Sequence, residues 1–123
     1  MTDECLFFDT YAFFEILKGN PNYNEYAPSG IITTKLNLFE LYLGILRLVD
    51  ENSAKTALDK YYAFVRDFDE NVITNAAKMK KELNKRDLSM TDCIGYYLAN
   101  QLGVKFLTGD EQFKDMTNVE FVK

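Results

Sequence analysis

Histidine is absent from all 123 residues of this chain, which excludes imidazole general-base chemistry and histidine-ligated zinc. Cysteine is scarce. Cys5 and Cys93 show no CxxC spacing, the pattern of reduced thiols in a cytosolic protein. Long apolar runs are missing too. Stretches such as residues 41–46 fall far short of the ~20 residues that span a bilayer. An excess of positive charge is also lacking, with 14 Lys and Arg against 19 Asp and Glu and a net charge of −5. The two signs are mixed along the chain, which argues against a protein that grips nucleic acid chiefly by bulk charge. A local acidic pocket that reaches a phosphate through bound cations stays open. There is no internal repeat or low-complexity segment, and residues 1–4 are acidic where a signal peptide would be basic. The expected setting is soluble and cytoplasmic, with no membrane contact.

What is present is the material of a core. Apolar residues make up 47% and aromatics 15%, enough for packing and too much for disorder. We expect one domain over 1–123, burying about two-thirds of its unfolded surface. Eight Tyr and ten Phe exceed what so small a core readily hides. An exposed aromatic patch on a partner surface is therefore expected, with Tyr61, Tyr62, Tyr96 and Tyr97 as candidates.

Residues 5–8 are a short apolar run ending at an acid and read as a buried strand. Residues 10–18 carry Ala12, Phe13, Ile16 and Leu17 at helical spacing, stopped by Gly19-Asn20-Pro21-Asn22. Residues 23–29 read as a loop, 30–33 as a second strand and 34–49 as a helix. Asn52 or Ser53 is expected to cap the next helix, whose inner face is Ala54, Ala57, Leu58, Tyr61, Tyr62 and Val65. A short strand is expected at 68–72, then a basic helix over 74–85 with Ala76, Met79 and Leu83 inward. Ser89 or Thr91 starts a helix through Leu102 that Gly103 ends as a left-handed cap. Strands follow at 104–107 and 119–122. Strands alternating with helices imply an α/β sandwich around a largely parallel sheet.

In open parallel sheets the ligand site lies beyond the carboxyl ends of the strands. Asp9 follows the first strand directly, and Asp110 follows the strand that ends at Leu107-Thr108. Two acids remote in sequence thus stand at one edge of one sheet. Each candidate acid also has a plain structural reading. Asp9 fits the N-cap of the helix starting at Thr10. Glu40 lies with Asn37, Gly44 and Arg47 on one narrow stripe of an otherwise apolar helix, at about 100° per residue. That stripe is either the solvent face or the lining of a pocket. Asp92 in Ser89-Met90-Thr91-Asp92 fits a capping box, a role compatible with a site at the helix N-terminus. Asp110 sits in a strand-to-helix turn, where Asp is ordinary, with Glu111 and Asp115 nearby as surface acids.

Four motifs in order carry a family resemblance. Phe7-Phe8-Asp9-Thr10 resembles the opening strand and first acid of PIN-domain nucleases. Residues 33–43, with Glu40 inside an apolar helix, resemble the segment of their second acid. Leu88-Ser89-Met90-Thr91-Asp92, followed by a helix with Ala99 and Gly103, is similar to the third. Thr108-Gly109-Asp110-Glu111-Gln112-Phe113 looks like their closing Thr-x-Asp-x-x-Phe turn. The likeness runs along nearly the whole chain, and only 49–85 carries no motif.

The resemblance implies a PIN-like α/β/α sandwich and an acidic pocket of Asp9, Glu40, Asp92 and Asp110 holding Mg²⁺ or Mn²⁺. It also implies cleavage of RNA, as by the VapC-like toxins of toxin–antitoxin pairs, with an antitoxin partner and a homodimer. Many relatives carry a further acid where this chain has Gln112, which weakens the case for two tightly held metals. Phosphodiester hydrolysis suits the donor set. Mg²⁺ and Mn²⁺ prefer oxygen ligands, activate water and offset charge on phosphorus, and need no histidine. In this scheme Asp9 and Asp92 hold the first metal, while Glu40 and Asp110 position water or hold a second ion. Thr10 and Thr108 orient a carboxylate or a water.

The basic run at 78–86 reads either as a solvated helix face or as a phosphate-tracking rim. Two other readings compete. A haloacid-dehalogenase-like phosphatase needs an acid two residues after its nucleophile, where this chain has Tyr11. A non-catalytic PIN-like interaction module would keep the fold and lose the activity.

Overall fold

A computed structural model of the chain describes residues 5–123; the acidic opening at 1–4 lies outside the described residues. The four strands are β1 (Cys5–Phe8), β2 (Gly30–Ile32), β3 (Lys105–Thr108) and β4 (Val119–Phe121). They pair in the order β2-β1-β3-β4, every pair parallel. The expectation of a largely parallel sheet is met in full. Five helices cover it: α1 (Thr10–Lys18), α2 (Lys35–Leu48), α3 (Glu51–Tyr61), α4 (Glu70–Glu82) and α5 (Met90–Leu102).

Alternation along the strands decides which helices go where. Leu6, Phe8 and Leu107 face one way and pack with Ala12 and Phe13 of α1, Leu38, Leu41 and Ile45 of α2, and Ala54 and Tyr61 of α3. Phe7, Ile32 and Phe106 face the other way, against Val72, Ala76 and Met79 of α4 and Ile94, Leu98 and Ala99 of α5. Both layers are apolar where they meet the sheet, which makes an α/β/α sandwich. Helix α5 sits close because it carries Gly95 there. A Cβ at that position would stand 2.8 Å from the Phe7 ring and 3.2 Å from that of Phe106.

Several expectations are corrected. No strand forms at 68–72: Asp69 accepts the Val72 N–H at 3.2 Å and starts α4 at Glu70, four residues before the expected start. Only Thr33 and Val65 add an isolated parallel bridge in that region. The cap of α3 is Asp50, whose carboxylate accepts the Ser53 N–H at 2.7 Å, not Asn52 or Ser53. The segment read as a loop at 23–29 contains part of a 3₁₀ helix, Pro21–Tyr26. Most of the large aromatic side chains go inward, while Phe39, Tyr62 and Phe64 remain exposed. Tyr61 and Tyr96 are buried, and the two-sided sheet hides Phe7, Phe8, Phe13, Tyr23, Phe106 and Phe113 completely. Of the four candidates only Tyr62 is about half exposed, at 52%.

Strand order reverses around β1, because β2 lies on one side of it and β3 on the other. The crevice beyond the carboxyl ends of β1 and β3 is therefore the topological switch point of the sheet. Asp9 and Asp110 open from those two ends.

Candidate active site at the switch point

Asp9 follows β1 and is tied across to β3 by its own N–H, which donates to the Leu107 carbonyl at 3.1 Å. It occupies the N-cap position of α1, yet its side chain makes no capping hydrogen bond. Instead Oδ2 accepts from the Thr108 hydroxyl at 2.7 Å. The other oxygen, Oδ1, is buried with no hydrogen-bond partner, and the residue is only 2% exposed. An unpartnered buried carboxylate oxygen is costly. Burial, then the Asp92 charge and more weakly that of Glu40, push this carboxyl up to about 8. The Thr108 hydroxyl opposes the rise, as does the Thr10 backbone N–H, which lies close by without capping geometry.

Glu40 comes from α2. The polar stripe of that helix is not its solvent face over its first turns: Asn37 is fully buried and Glu40 half-buried while Phe39 is 67% exposed, and Arg47 at the far end reaches solvent. Sequence alone leaves those two orientations open. The inward stripe brings Glu40 Oε1 to the Thr10 hydroxyl, which donates at 2.9 Å.

Asp92 takes the capping role considered for it. Ser89 and Asp92 form a reciprocal capping box, with the Asp92 N–H donating to Ser89 Oγ at 3.1 Å and Asp92 Oδ2 accepting the Ser89 N–H at 2.9 Å. Burial pushes Asp92 up to about 6 against the lowering effect of the Ser89 bonds, with help from the Glu40 and Asp110 charges.

Asp110 caps the short 3₁₀ turn Glu111–Phe113 by accepting the Gln112 N–H at 2.9 Å, and its own N–H donates to Thr108 Oγ1 at 3.1 Å. The preceding Gly109 is required by close approach. A Cβ there would run into the Val122 carbonyl and the Tyr11 ring. Gln112, the departure from the usual acid, accepts the Asp87 N–H at 3.3 Å through Oε1 and so braces the loop before α5.

The four acids thus share one electrostatic neighbourhood: Asp9 feels Asp92 and Glu40, and Asp92 feels Glu40 and Asp110. They do not close into a tight cage. Among the described residues no three acids converge closely enough to encircle one ion by themselves. Mg²⁺ suits such an open arrangement, since it usually keeps several waters and takes one or two carboxylates, with phosphate oxygens completing its shell. The Asp9 oxygen without a donor is what a cation would satisfy.

Two of the five cations in the basic run are committed elsewhere. Lys80 donates to the Leu88 carbonyl at 2.7 Å, and Arg86 reaches the Gln112 carbonyl at 2.8 Å and Asp115 at 3.1 Å. Asn37, fully buried and bonded to Thr10 beside Glu40, is the neighbour of the acids that sequence reasoning did not single out. Its signal was an amide on the inner stripe, three residues before Glu40. No described helix is long and apolar enough to cross a membrane.

Compared with curated proteins by sequence, the chain has no significant match. Its fold is similar to that of solved toxin–antitoxin structures. A VapC20 toxin of Mycobacterium tuberculosis, described as cleaving the sarcin–ricin loop, superposes with a TM-score of 0.77 at 16% identity, over 96% of this chain and 99% of that one. The VapBC2 complex of Rickettsia felis, bound to a promoter DNA fragment, gives 0.71 at 17% identity, over 97% and 99%. DNA-bound VapBC of Salmonella typhimurium gives 0.71 at 15% identity, over 98% and 97%. A family model described as the PIN domain matches residues 6–119, and with the parallel sheet and the acids at its switch point already described, the chain belongs to the PIN domain family.

Proposed function

We propose that this chain is a Mg²⁺- or Mn²⁺-dependent endoribonuclease, the toxin of a toxin–antitoxin pair, acting in the cytoplasm. The observation that carries the reading is Asp9. A buried carboxylate with one oxygen lacking any donor, beside three further acids at the switch point, is expensive for the apo fold and useful once a cation arrives. Asp9 and Asp92 are the principal metal-holding residues in this reading, with Glu40 and Asp110 beside them. The bound ion would supply Lewis-acid activation of water and charge stabilisation at phosphorus. The chain's own groups do the positioning: Thr108 holds one Asp9 oxygen, Thr10 holds one Glu40 oxygen, and the capping box fixes Asp92. An RNA substrate accords with the oxygen-only donor set and with the described activity of the VapC20 neighbour. An antitoxin partner accords with the complexes among the structural neighbours. Membership of the PIN family sets the haloacid-dehalogenase-like reading aside.

The test is Mn²⁺-dependent cleavage of RNA by the purified chain, with Asp9→Asn and Asp92→Asn as controls. Loss of cleavage in both variants with the fold retained is expected. Wild-type activity in either variant sinks the assignment. Absence of divalent binding by the wild type favours the non-catalytic interaction module.

A further inference from the structure

Asn37 is fully buried on α2, and its side chain bonds two threonines, one through each end of the amide. Thr34 Oγ1 donates to Asn37 Oδ1 at 2.7 Å, Asn37 Nδ2 donates to Thr10 Oγ1 at 3.1 Å, and Thr10 Oγ1 donates to Glu40 Oε1 at 2.9 Å. We infer that Asn37 is a positioning residue for the active site, acting through Thr10 to fix Glu40 as a hydrogen-bond-accepting carboxylate aimed at the pocket. The inference rests on the reading of Glu40 as a metal-site residue.

The direction of the chain follows from donor arithmetic. A threonine hydroxyl has one proton to give, and an ionised carboxylate can only accept. If Thr10 is to serve Glu40, its proton is committed there, and it must take its second bond as an acceptor. The Asn37 amide is the donor placed to supply that bond. The orientation of the amide follows, with Oδ1 turned to Thr34, whose hydroxyl gives its proton to Asn37 and whose oxygen also receives the Asn37 backbone N–H at 3.2 Å. The same device recurs across the site. Thr108 Oγ1 accepts the Asp110 N–H at 3.1 Å, and its proton goes to Asp9 Oδ2 at 2.7 Å. In both cases a fixed N–H occupies a threonine oxygen and turns the hydroxyl proton onto a carboxylate. One copy uses a backbone amide, which no substitution removes. The other uses a side chain, and is therefore open to experiment.

A purely structural role is the competing account, because Asn37 is the third residue of α2 and bonds to its cap, Thr34. The two accounts separate in a double-mutant cycle on the full-length chain. The variants are Asn37→Ala, Thr10→Val and the pair, with Asn37→Ala in a Thr10→Ser background, which keeps the hydroxyl. Val72→Ala, a buried change on α4, is the control for lost stability. Two readouts are taken: kcat and KM for RNA cleavage, and Mn²⁺ affinity by water-proton relaxation without RNA. Asn37→Ala and Thr10→Val should each lower kcat and weaken Mn²⁺ binding by roughly tenfold, with KM little changed. In the Thr10→Val background Asn37→Ala should add nothing, whereas in the Thr10→Ser background its effect should persist. Losses that add in the double mutant overturn the inference, as does an Asn37→Ala chain that loses only stability, like Val72→Ala. A wild type that binds Mn²⁺ without cleaving RNA overturns the nuclease reading alone, since the Mn²⁺ titration still reads the coupling. A wild type with no Mn²⁺ affinity overturns both.

Discussion

The two sides of helix α1 could hardly differ more. On one side Thr10 faces the acids. On the other, Tyr11, Phe14 and Leu17 join Ile45, Leu48 and Ala57 in an apolar groove of about 810 Å³ between α1, the end of α2 and α3. By size and apolarity the groove is the default ligand site, yet none of the four acids lines it. The acid crevice is the place where the fold bears an unmet cost, in the form of a buried oxygen without a donor and two carboxyls driven well above their ordinary range. Volume marks where something can fit. Unmet cost marks where something must bind for the arrangement to make sense, and chemistry is expected there.

The sharpest way to break that contrast is to neutralise one side of it. Asp9→Asn should lower RNA cleavage by about 10³-fold, corresponding to the several kcal/mol a metal supplies at the transition state. The same variant should raise the melting temperature of the apo chain near neutral pH, because Asn is spared the cost of holding the buried carboxyl protonated where the unfolded chain would ionise it. Leu17→Ser in the groove should leave the activity of the isolated chain unchanged. Comparable losses in the two variants, measured on one RNA, would erase the distinction between the regions.

Proton linkage sharpens it further. The Asp9 carboxyl stays protonated in the folded apo chain up to about pH 8, against an ordinary value of 3.8. Between those limits the folded state binds more protons than the unfolded one, so stability falls as pH rises across the window. Asp92 adds a loss confined to the range from 3.8 to about 6. A cation reverses the trend, since it binds deprotonated carboxylates and releases protons. Apo melting temperature should therefore decline from pH 5 to pH 8, while Mn²⁺ affinity climbs over the same interval. Melting curves with and without Mn²⁺ that run parallel across pH would rule out this coupling.

Mass action sets the next effect. For an assumed dissociation constant of about 1 mM, roughly 10 mM Mg²⁺ stabilises the fold by about 1.4 kcal/mol, some 4–6 °C in melting temperature. Mn²⁺ should give more, and Asp92→Asn should remove most of the shift. Sodium chloride at matched ionic strength is the control, because screening alone slightly stabilises an acidic protein. A shift no larger than that control would leave the acids without a metal role.

Much of the fold, and half of the acid crevice, is legible in the order of residues. The strand segments at 5–8 and 104–107, the first followed directly by Asp9 and the second by Thr108-Gly109-Asp110, locate the sheet edge and the pair Asp9 and Asp110. Strand patterning is visible because a strand buried on both faces is apolar throughout. The rivalry between cap and site is harder to resolve, because one residue type serves both ends. Asp92 closes a capping box at the edge of the acid group, and Asp9 caps nothing with its side chain. The Phe68 region misleads because a short apolar stretch before a polar helix start resembles a strand until its cap is identified, and Asp69 is the cap. Asn37 shows in the sequence only as part of a stripe, since its meaning depends on Thr10, 27 positions away. Counting aromatics misplaces Tyr61 and Tyr96 because a count carries no information about which face they take.

The smallest expected effect on the fold concerns assembly, the surface farthest in character from the acid crevice. The aromatic candidates are mostly consumed by the core, but α2, whose Leu38, Leu41 and Ile45 pack inward, turns Phe39 and Leu46 outward, at 67% and 43% exposure. Apolar side chains left at solvent on a helix whose other face already packs into the core mark a surface that gains by being covered. We expect a homodimer in solution that buries this face. Phe39→Glu should dissociate it while changing chain stability by no more than about 0.5 kcal/mol, because an exposed side chain contributes little to its own fold. Light scattering at tens of micromolar checks the point. A wild-type monomer there would leave the outward face of α2 without a second copy to cover it, and an unchanged dimer in Phe39→Glu would move the contact elsewhere. Because Phe39 adjoins Glu40 in sequence, the variant should also keep its Mn²⁺ affinity, and loss of that affinity would mean that the face and the site are not separable.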